Sequence, residues 1–534
     1  MTSYDTIIRN GLIYDGSGGD PYPGDVALQG DRIAAVGNVG PGGARVVIDA
    51  HGQAVAPGFI NMLSWANVSL IHDGRSQSDI RQGVTLEVLG ENFSMGPLNE
   101  AMKAEMLERQ GDITYDVAWT TLGEYLDHLV TRGVACNVTS FVGSETVRIH
   151  ELGYANRPPS PAELQRMQAL VRQALAEGAV GLSSALIYAP ASYAATDELV
   201  ALAQVVAEVD GLYISHIRSE AEQVFAALDE FFTICREASV RGEIYHLKLS
   251  GKANWDKYDE FISRIEAARA SGLPVTADMY TYRASSTGLD ATLPGWVHEG
   301  GHRALVERLR DPALRPRILD EMTRYKEVDA AEDTLLVGFR SEALKHLRGQ
   351  TLAEVAAARN LSPQETVLDL IVEDDSRVQA VFFSMSEDNV RKQIQLPWVA
   401  FDSDAGSLAT EGVFLRNSTH PRAYGTFARL LGRYVRDEGL IPLREAIRRL
   451  TSFPAANLRL RERGSLTPGY FADVVVFDPA TIQDHATFHN PHQYSTGVSH
   501  VFVNGGHVLR DGEHTGALPG RVVRGPGWPG EVGG

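Results

Sequence analysis

Cysteine is almost absent from this chain. Its 534 residues include only Cys136 and Cys235, in apolar or helical contexts and without Cys-x-x-Cys spacing. That excludes a disulfide framework and a thiolate zinc cluster, and fits buried free thiols in a reducing cytoplasm. Positive charge is also scarce: 49 Lys and Arg stand against 68 Asp and Glu, for a net charge of −19. No basic run offsets that balance, so neither nucleic acid nor an anionic membrane is an expected partner. No apolar run approaches about 18 residues, and the opening "MTSYDTIIRNGLIYDG" lacks the charged-then-apolar pattern of a signal peptide. We expect a soluble cytoplasmic protein whose partner is a small molecule, and whose composition is compatible with a homo-oligomer.

Residues 1–56 alternate apolar and polar in short runs broken by turn signals such as "NG" and "GD", a pattern of hairpins. From 57 to 460 the texture changes to short apolar strands separated by helical stretches. The strands include "PGFINML", "VTLEVLG", "NVTSFVG", "AVGLSSAL", "GLYISHI", "EIYHLKLS", "LPVTADMY" and "PWVAFDSDA". One helical stretch, "SPAELQRMQALVRQALAEG", opens with Ser160 and Glu163 at capping-box spacing. Eight strands with intervening helices predict an α/β fold, a (β/α)8 TIM-like barrel. More sequence lies between about 285 and 400 than a crossover needs, which predicts an inserted helical lobe. From 461 to 534 the β texture returns and should join the N-terminal part in one β-sandwich. The closing "PGRVVRGPGWPGEVGG" predicts a loose tail.

Chemistry in such barrels sits at the C-terminal ends of the strands. His216 in "GLYISHIRSE" and His246 in "EIYHLKLSG" end successive strands. A lone strand-end histidine is usually structural. Two on neighbouring strands supply half of a tetrahedral zinc site. Glu91 in "VTLEVLGENF" ends another strand and could be a ligand or a solvated loop residue. Asp404 in "FDSDAG" is placed to take a proton from an activated water and return it to a leaving nitrogen, unless it merely caps a helix. In "NSTHPRAYGTF", His420, Arg422 and Tyr424 lie on a turn. There Arg422 could clamp a carboxylate bidentately or brace the rim.

Taken in order, "VAPGFIN", "QGVTLEVLGE", "EGAVGLSSALIYAP", "YISHIRSE", "YHLKLSGKANW", "TADMYTYRASSTGL", "FDSDAG", "THPRAYGTFARLLG" and "LTPGYFADVVVFDP" resemble the N-acyl-D-amino-acid deacylases of the amidohydrolase superfamily over nearly the whole length. The resemblance implies a zinc-bearing barrel beside a β-sandwich built from both chain ends. It implies that His216 and His246 are metal ligands and Asp404 the catalytic acid/base. It also places Lys248 and Tyr280 on segments that line the substrate pocket, and matches His420 and Arg422, expected to bind substrate, to the family's His-Pro-Arg motif. Two departures stand out. The family's His-x-His after the first strand reads Leu63-Ser64-Trp65 here, and its bridging cysteine is replaced in "GEN", Gly90 to Asn92. Leu and Trp cannot bind zinc, so one of the two metal positions should be missing. Glu91 is the expected third ligand, with Asn92 or Asp404 as substitutes, and Trp65 is expected to be an apolar wall for the substrate.

The expected activity is therefore metal-dependent hydrolysis of an amide bond in an N-acyl amino acid, using one divalent ion. Histidine and carboxylate donors suit zinc. Two alternatives remain: a cyclic amidase acting on hydantoin- or lactam-like rings, and a non-catalytic ligand-binding member.

Overall fold

The computed structural model describes residues 4–40, 43–322 and 328–530. Seven short parallel strands form most of a barrel: β1 (Phe59–Asn61), β2 (Val84–Leu89), β3 (Asn137–Ser140), β4 (Gly181–Ala185), β5 (Leu212–His216), β6 (Arg241–Ile244) and β7 (Val275–Ala277). Neighbours pair in sequence order, and the step from β3 to β4 runs through Val142 and Gly143, which pair with Leu182 and Ser183. Nearly every position on these strands is buried, and the polar ones, such as Glu87, Asn137, Ser183 and Glu243, are buried with the apolar ones. Ile60, Met62, Leu63, Leu86, Val88 and Ile214 fill the interior.

The expected eighth strand is not a continuous one. Residues 399–405 close the barrel through single parallel bridges, Ala277 to Val399 and Ser64 to Ala405. The Asp404 N–H also donates to the Leu63 carbonyl at 3.0 Å. The extended run breaks because Asp404 turns into the left-handed region, at φ +44°. That closure brings the residues after β1 against Asp404, which matters for the site below.

Helices cover the outside. The helix Pro161–Ala176 starts at the expected capping box, with Ser160 and Glu163 each satisfying the other's backbone N–H. The segments from both chain ends join in one hydrogen-bonded network of nine strands rather than two separate sheets. The joint is Ala54–Pro57, which pairs with Tyr4–Ile13 on one side and Val474–Phe477 on the other. The network folds over its own core of Ile8, Val26, Ile33, Val474, Val476 and Phe502.

The inserted lobe is not purely helical. Strands Ser285–Gly288, Gln379–Phe382 and Thr334–Gly338 form an antiparallel sheet, and the helices between them pack a separate core around Leu305, Leu309, Ile318 and Leu368. The helix Glu387–Ile394, inside the expected lobe range, instead contributes Val390 and Ile394 to the main core. Nor is the C-terminal stretch loose over its described part, residues 519–530. Val138 of β3 donates to the Arg521 carbonyl at 3.0 Å and accepts from the Val523 N–H at 2.8 Å, and Val523 packs into the barrel core. Backbone pairing outweighs the Pro/Gly composition there; residues 531–534 lie outside the described residues.

One buried acidic pair lies beneath the site. Glu87 on β2 is fully buried; it accepts the Ser64 hydroxyl at 3.0 Å on one oxygen, and its other oxygen has no hydrogen bond. Burial, and then the charge of Asp79, pushes Glu87 up to about 8. The native state thus holds this proton more tightly than the unfolded chain does, whose value lies near the ordinary 4.5. The group costs no stability below that value and costs progressively more as pH rises toward 8. Glu87→Gln should therefore stabilise the protein by on the order of 2 kcal/mol more at pH 8.5 than at pH 5 in urea denaturation. A loss of stability equal at both pH values would contradict the assignment.

Candidate active site

The mouth of the barrel gathers its polar side chains from strands far apart in sequence. His216 ends β5, and His246 sits two residues after β6. Their rings meet edge to face with centroids 4.5 Å apart, and both are buried. His246 has a left-handed backbone, at φ +34°, and its N–H donates to the Asp278 carboxylate just past β7. Strained backbone of this kind persists where surrounding structure over-determines it, commonly at functional sites.

Two carboxylates flank the two rings. On one edge, Glu91 Oε1 lies 3.1 Å from His246 Nε2 and 3.6 Å from His216 Nδ1. On the other, Glu220 lies 3.2 Å from His246 Nδ1 and 3.5 Å from His216 Nε2. Burial works to raise Glu91, but the hydrogen bonds and charge of the two histidines win and hold it well below the usual carboxylate range. Burial and Lys248 press His246 downward, yet bonds to Glu220 and Glu91 bring it up to about 10. His216, with burial dominant, is lowered.

Donor atoms of Glu91, His216 and His246 lie within 4.8 Å of one another. Two imidazole nitrogens and one carboxylate oxygen form a common zinc donor set that leaves further positions free. His216 Nδ1 faces Glu91 Oε1 at 3.6 Å, and its Nε2, on the Glu220 edge, is buried without a hydrogen bond. The residues present fit a single divalent cation. Glu220 stands where an outer carboxylate orients ligating histidines.

Asp404 faces this group from the barrel closure. It lies 2.7 Å from Arg422 Nη1 through Oδ2, and its Oδ1 accepts the Trp65 indole N–H at 3.2 Å. The same N–H reaches Glu91 Oε2 at 3.0 Å. Burial raises Asp404 against the opposing pull of Arg422 and His246. Asp402, two residues earlier, points into the interior, and burial followed by the charge of Asp404 pushes it up to about 8.

Several expectations need revision here. Trp65 is not simply an apolar wall: its ring is 40% exposed, but its N–H ties the two carboxylates together. Arg422 is not a free clamp, because its guanidinium pairs with Asp404 and lies 4.6 Å from the centre of the Tyr280 ring. His420 has both ring nitrogens engaged by backbone, Nε2 with the Ala284 carbonyl and Nδ1 with the Arg422 N–H, so it braces the Arg422 turn. Lys248 donates to Glu220 at 2.8 Å and meets His246 Nδ1 at 2.7 Å. Asn92 is not free to ligate: its Oδ1 accepts the Ala185 N–H and its amide binds Glu145. Tyr280 is buried under Arg422 and Lys248.

Two residues of the site lie outside the sequence expectations. Glu220 follows His216 by four positions, a spacing that was visible in "SHIRSE". Arg377, from the inserted lobe, lines the cavity with its guanidinium 5.1 Å from the centre of the Tyr188 ring and its Nε 2.9 Å from Asp290. No local signal marked it. The cavity itself is large, about 2370 Å³.

Residues 46–509 match the amidohydrolase family. The chain belongs to that family. Among amidohydrolases it is 32% identical to a D-aminoacylase of Alcaligenes xylosoxydans xylosoxydans, over 97% of each chain. A solved N-acyl-D-glutamate deacylase from Bordetella bronchiseptica, complexed with zinc and a phosphonate mimic of the tetrahedral intermediate, superposes with a TM-score of 0.83. It is 31% identical, covering 98% of this chain and 100% of that one. A D-aminoacylase structure with a binuclear metal centre gives 0.82 at 34% identity and the same coverage.

The donor geometry predicts that chelator-stripped protein takes up one equivalent of zinc. His246→Ala should weaken that binding at least about 100-fold in competition with a chromophoric chelator. Two tight equivalents, or unchanged affinity in the variant, would contradict the three-donor site.

Proposed function

We propose that this amidohydrolase cleaves the amide bond of N-acyl-D-amino acids, with one zinc ion held by Glu91, His216 and His246 and with Asp404 moving the proton. The observation that carries this reading is the meeting of the three-donor site with Asp404 at one barrel mouth. It is supported by end-to-end likeness to a D-aminoacylase and an N-acyl-D-aspartate deacylase, each 32% identical over 97% of this chain. Zinc in that position would polarise the amide carbonyl and activate a water.

The chain's own residues supply the rest. Asp404 Oδ1, which keeps a free lone pair beside the Trp65 contact, accepts the water proton and returns it to the departing nitrogen. Desolvation lifts its basicity, and Arg422 on Oδ2 keeps the carboxylate oriented. Glu220 and Lys248 hold the outer edge of the histidine pair. The substrate's carboxylate is assigned to Arg377, one of the cations lining the cavity: Asp290 holds its Nε, and its guanidinium lies near the Tyr188 ring, itself 5.6 Å from His216.

Leu63 and Trp65 leave the second metal position of a binuclear centre without ligands, and D-aminoacylase shows one-metal activation and second-metal attenuation. A mononuclear enzyme is the matching state. Among the described residues no helix is long and apolar enough to cross a membrane. The two buried free thiols support a reducing cytoplasm.

Asp404→Asn tests the proton role. Turnover of N-acyl-D-amino acids should fall by about 10²- to 10⁴-fold, with zinc content unchanged by metal analysis. Full activity in that variant would remove Asp404 from the mechanism.

A further inference from the structure

Beside the catalytic cavity lies a second hollow of about 630 Å³. Trp65, Phe93 and Tyr154 line both spaces, so the two adjoin along the wall that carries the Trp65 ring. Beyond that ring the lining is apolar and soft: Met95, Met102 and Met106 converge there with Ile149 and Phe414. Three of the chain's nine methionines thus stand in one recess. Methionine adapts its shape to flexible apolar ligands and is favoured on surfaces that accept several of them.

The charged groups at the recess are largely engaged by protein. Glu105 accepts the Tyr154 hydroxyl at 2.9 Å, and Asp112 binds Lys345 at 2.6 Å and Asn417 at 2.8 Å. Arg109, also on the shared wall, is the exception: its guanidinium has no hydrogen-bond or ion-pair partner among the described residues, and burial lowers it against the pull of Glu105. What the recess offers a ligand is mainly apolar area.

The barrel sets which part of a substrate can reach it. Trp65 follows β1 and His216 ends β5, four staves away and therefore across the mouth. Arg377 and Tyr188 lie on the His216 side, whereas Trp65 and Asp404 lie at the barrel closure. With the scissile amide at Asp404 and the metal donors, and the amino-acid carboxylate toward Arg377, the group leaving in the opposite direction is the acyl chain. On that side the chain would meet Trp65, and beyond it the methionine recess.

We propose that this recess is an acyl-chain subsite, and that the preferred substrates are amino acids N-acylated with a medium or long unbranched aliphatic chain rather than with acetyl. The assignment rests on the deacylase reading above and narrows its substrate class. A volume of about 630 Å³ lies within the roughly 300–1,000 Å³ typical of small-ligand pockets.

The test is a chain-length series on one N-acyl-D-amino acid, from acetyl through butanoyl, hexanoyl and octanoyl to decanoyl, with zinc-loaded enzyme. Each added methylene should raise kcat/KM about two- to fourfold, so octanoyl should exceed acetyl by roughly 60-fold or more. Decanoate should bind the same enzyme in calorimetry while acetate does not. Met106→Gln should lower the octanoyl-to-acetyl ratio at least about tenfold. A flat series with measurable acetyl turnover, or a preference for succinyl, overturns the subsite and leaves the deacylase reading standing. No turnover of any member overturns both.

Discussion

Two buried imidazoles held edge-on between a buried and a part-buried carboxylate are the constraint from which the rest of the site follows. Isolated charges of this kind would be costly so far from water, and they are tolerable only because each has a partner. Glu91 and Glu220 each contact both His216 and His246, and Lys248 balances the outer carboxylate. Barrel geometry makes the meeting possible: the ends of β2, β5 and β6 deliver the groups, and Asp278 beyond β7 fixes the left-handed turn at His246. A cation between Glu91 and the two rings would exchange these contacts for coordination without needing the strands to move.

The second constraint is the single N–H of Trp65. At the mouth of a barrel whose relatives include a binuclear centre, this chain places an indole. That indole donates to Glu91 and Asp404 together. One donor shared by two carboxylates does part of what a second cation would do: it holds like charges at a fixed separation. It adds no Lewis acidity. Leu63, two residues earlier, is part of the barrel core, so this stretch after β1 supplies packing and one shared hydrogen-bond donor.

Much of this could be read from the residues, and the limits have physical reasons. The strand ends at Glu91, His216 and His246 were marked by apolar runs stopping at a chemically capable side chain, and period and punctuation suffice for that. The eighth stave is legible as an apolar run, but its break is not, because that comes from a left-handed residue, Asp404, within the run. The bulk of Trp65 is legible locally, but the partners of its N–H are 26 and 339 positions away. Arg422 and His420 are polar residues on a motif-rich turn, and nothing local shows that Asp404 and backbone groups already occupy them. Arg377 comes from a lobe with its own core, and only the tertiary fold carries it to the cavity. The C-terminal stretch looked like tail by composition, but its backbone pairs with β3, and pairing is invisible to composition.

Anomalous diffraction at the zinc edge, from crystals grown in excess zinc, measures the central claim directly. One strong peak among Glu91, His216 and His246, with none beside Trp65, is the predicted map. A second peak of comparable height next to Trp65 and Asp404, or a lone peak away from both histidines, would contradict the mononuclear site.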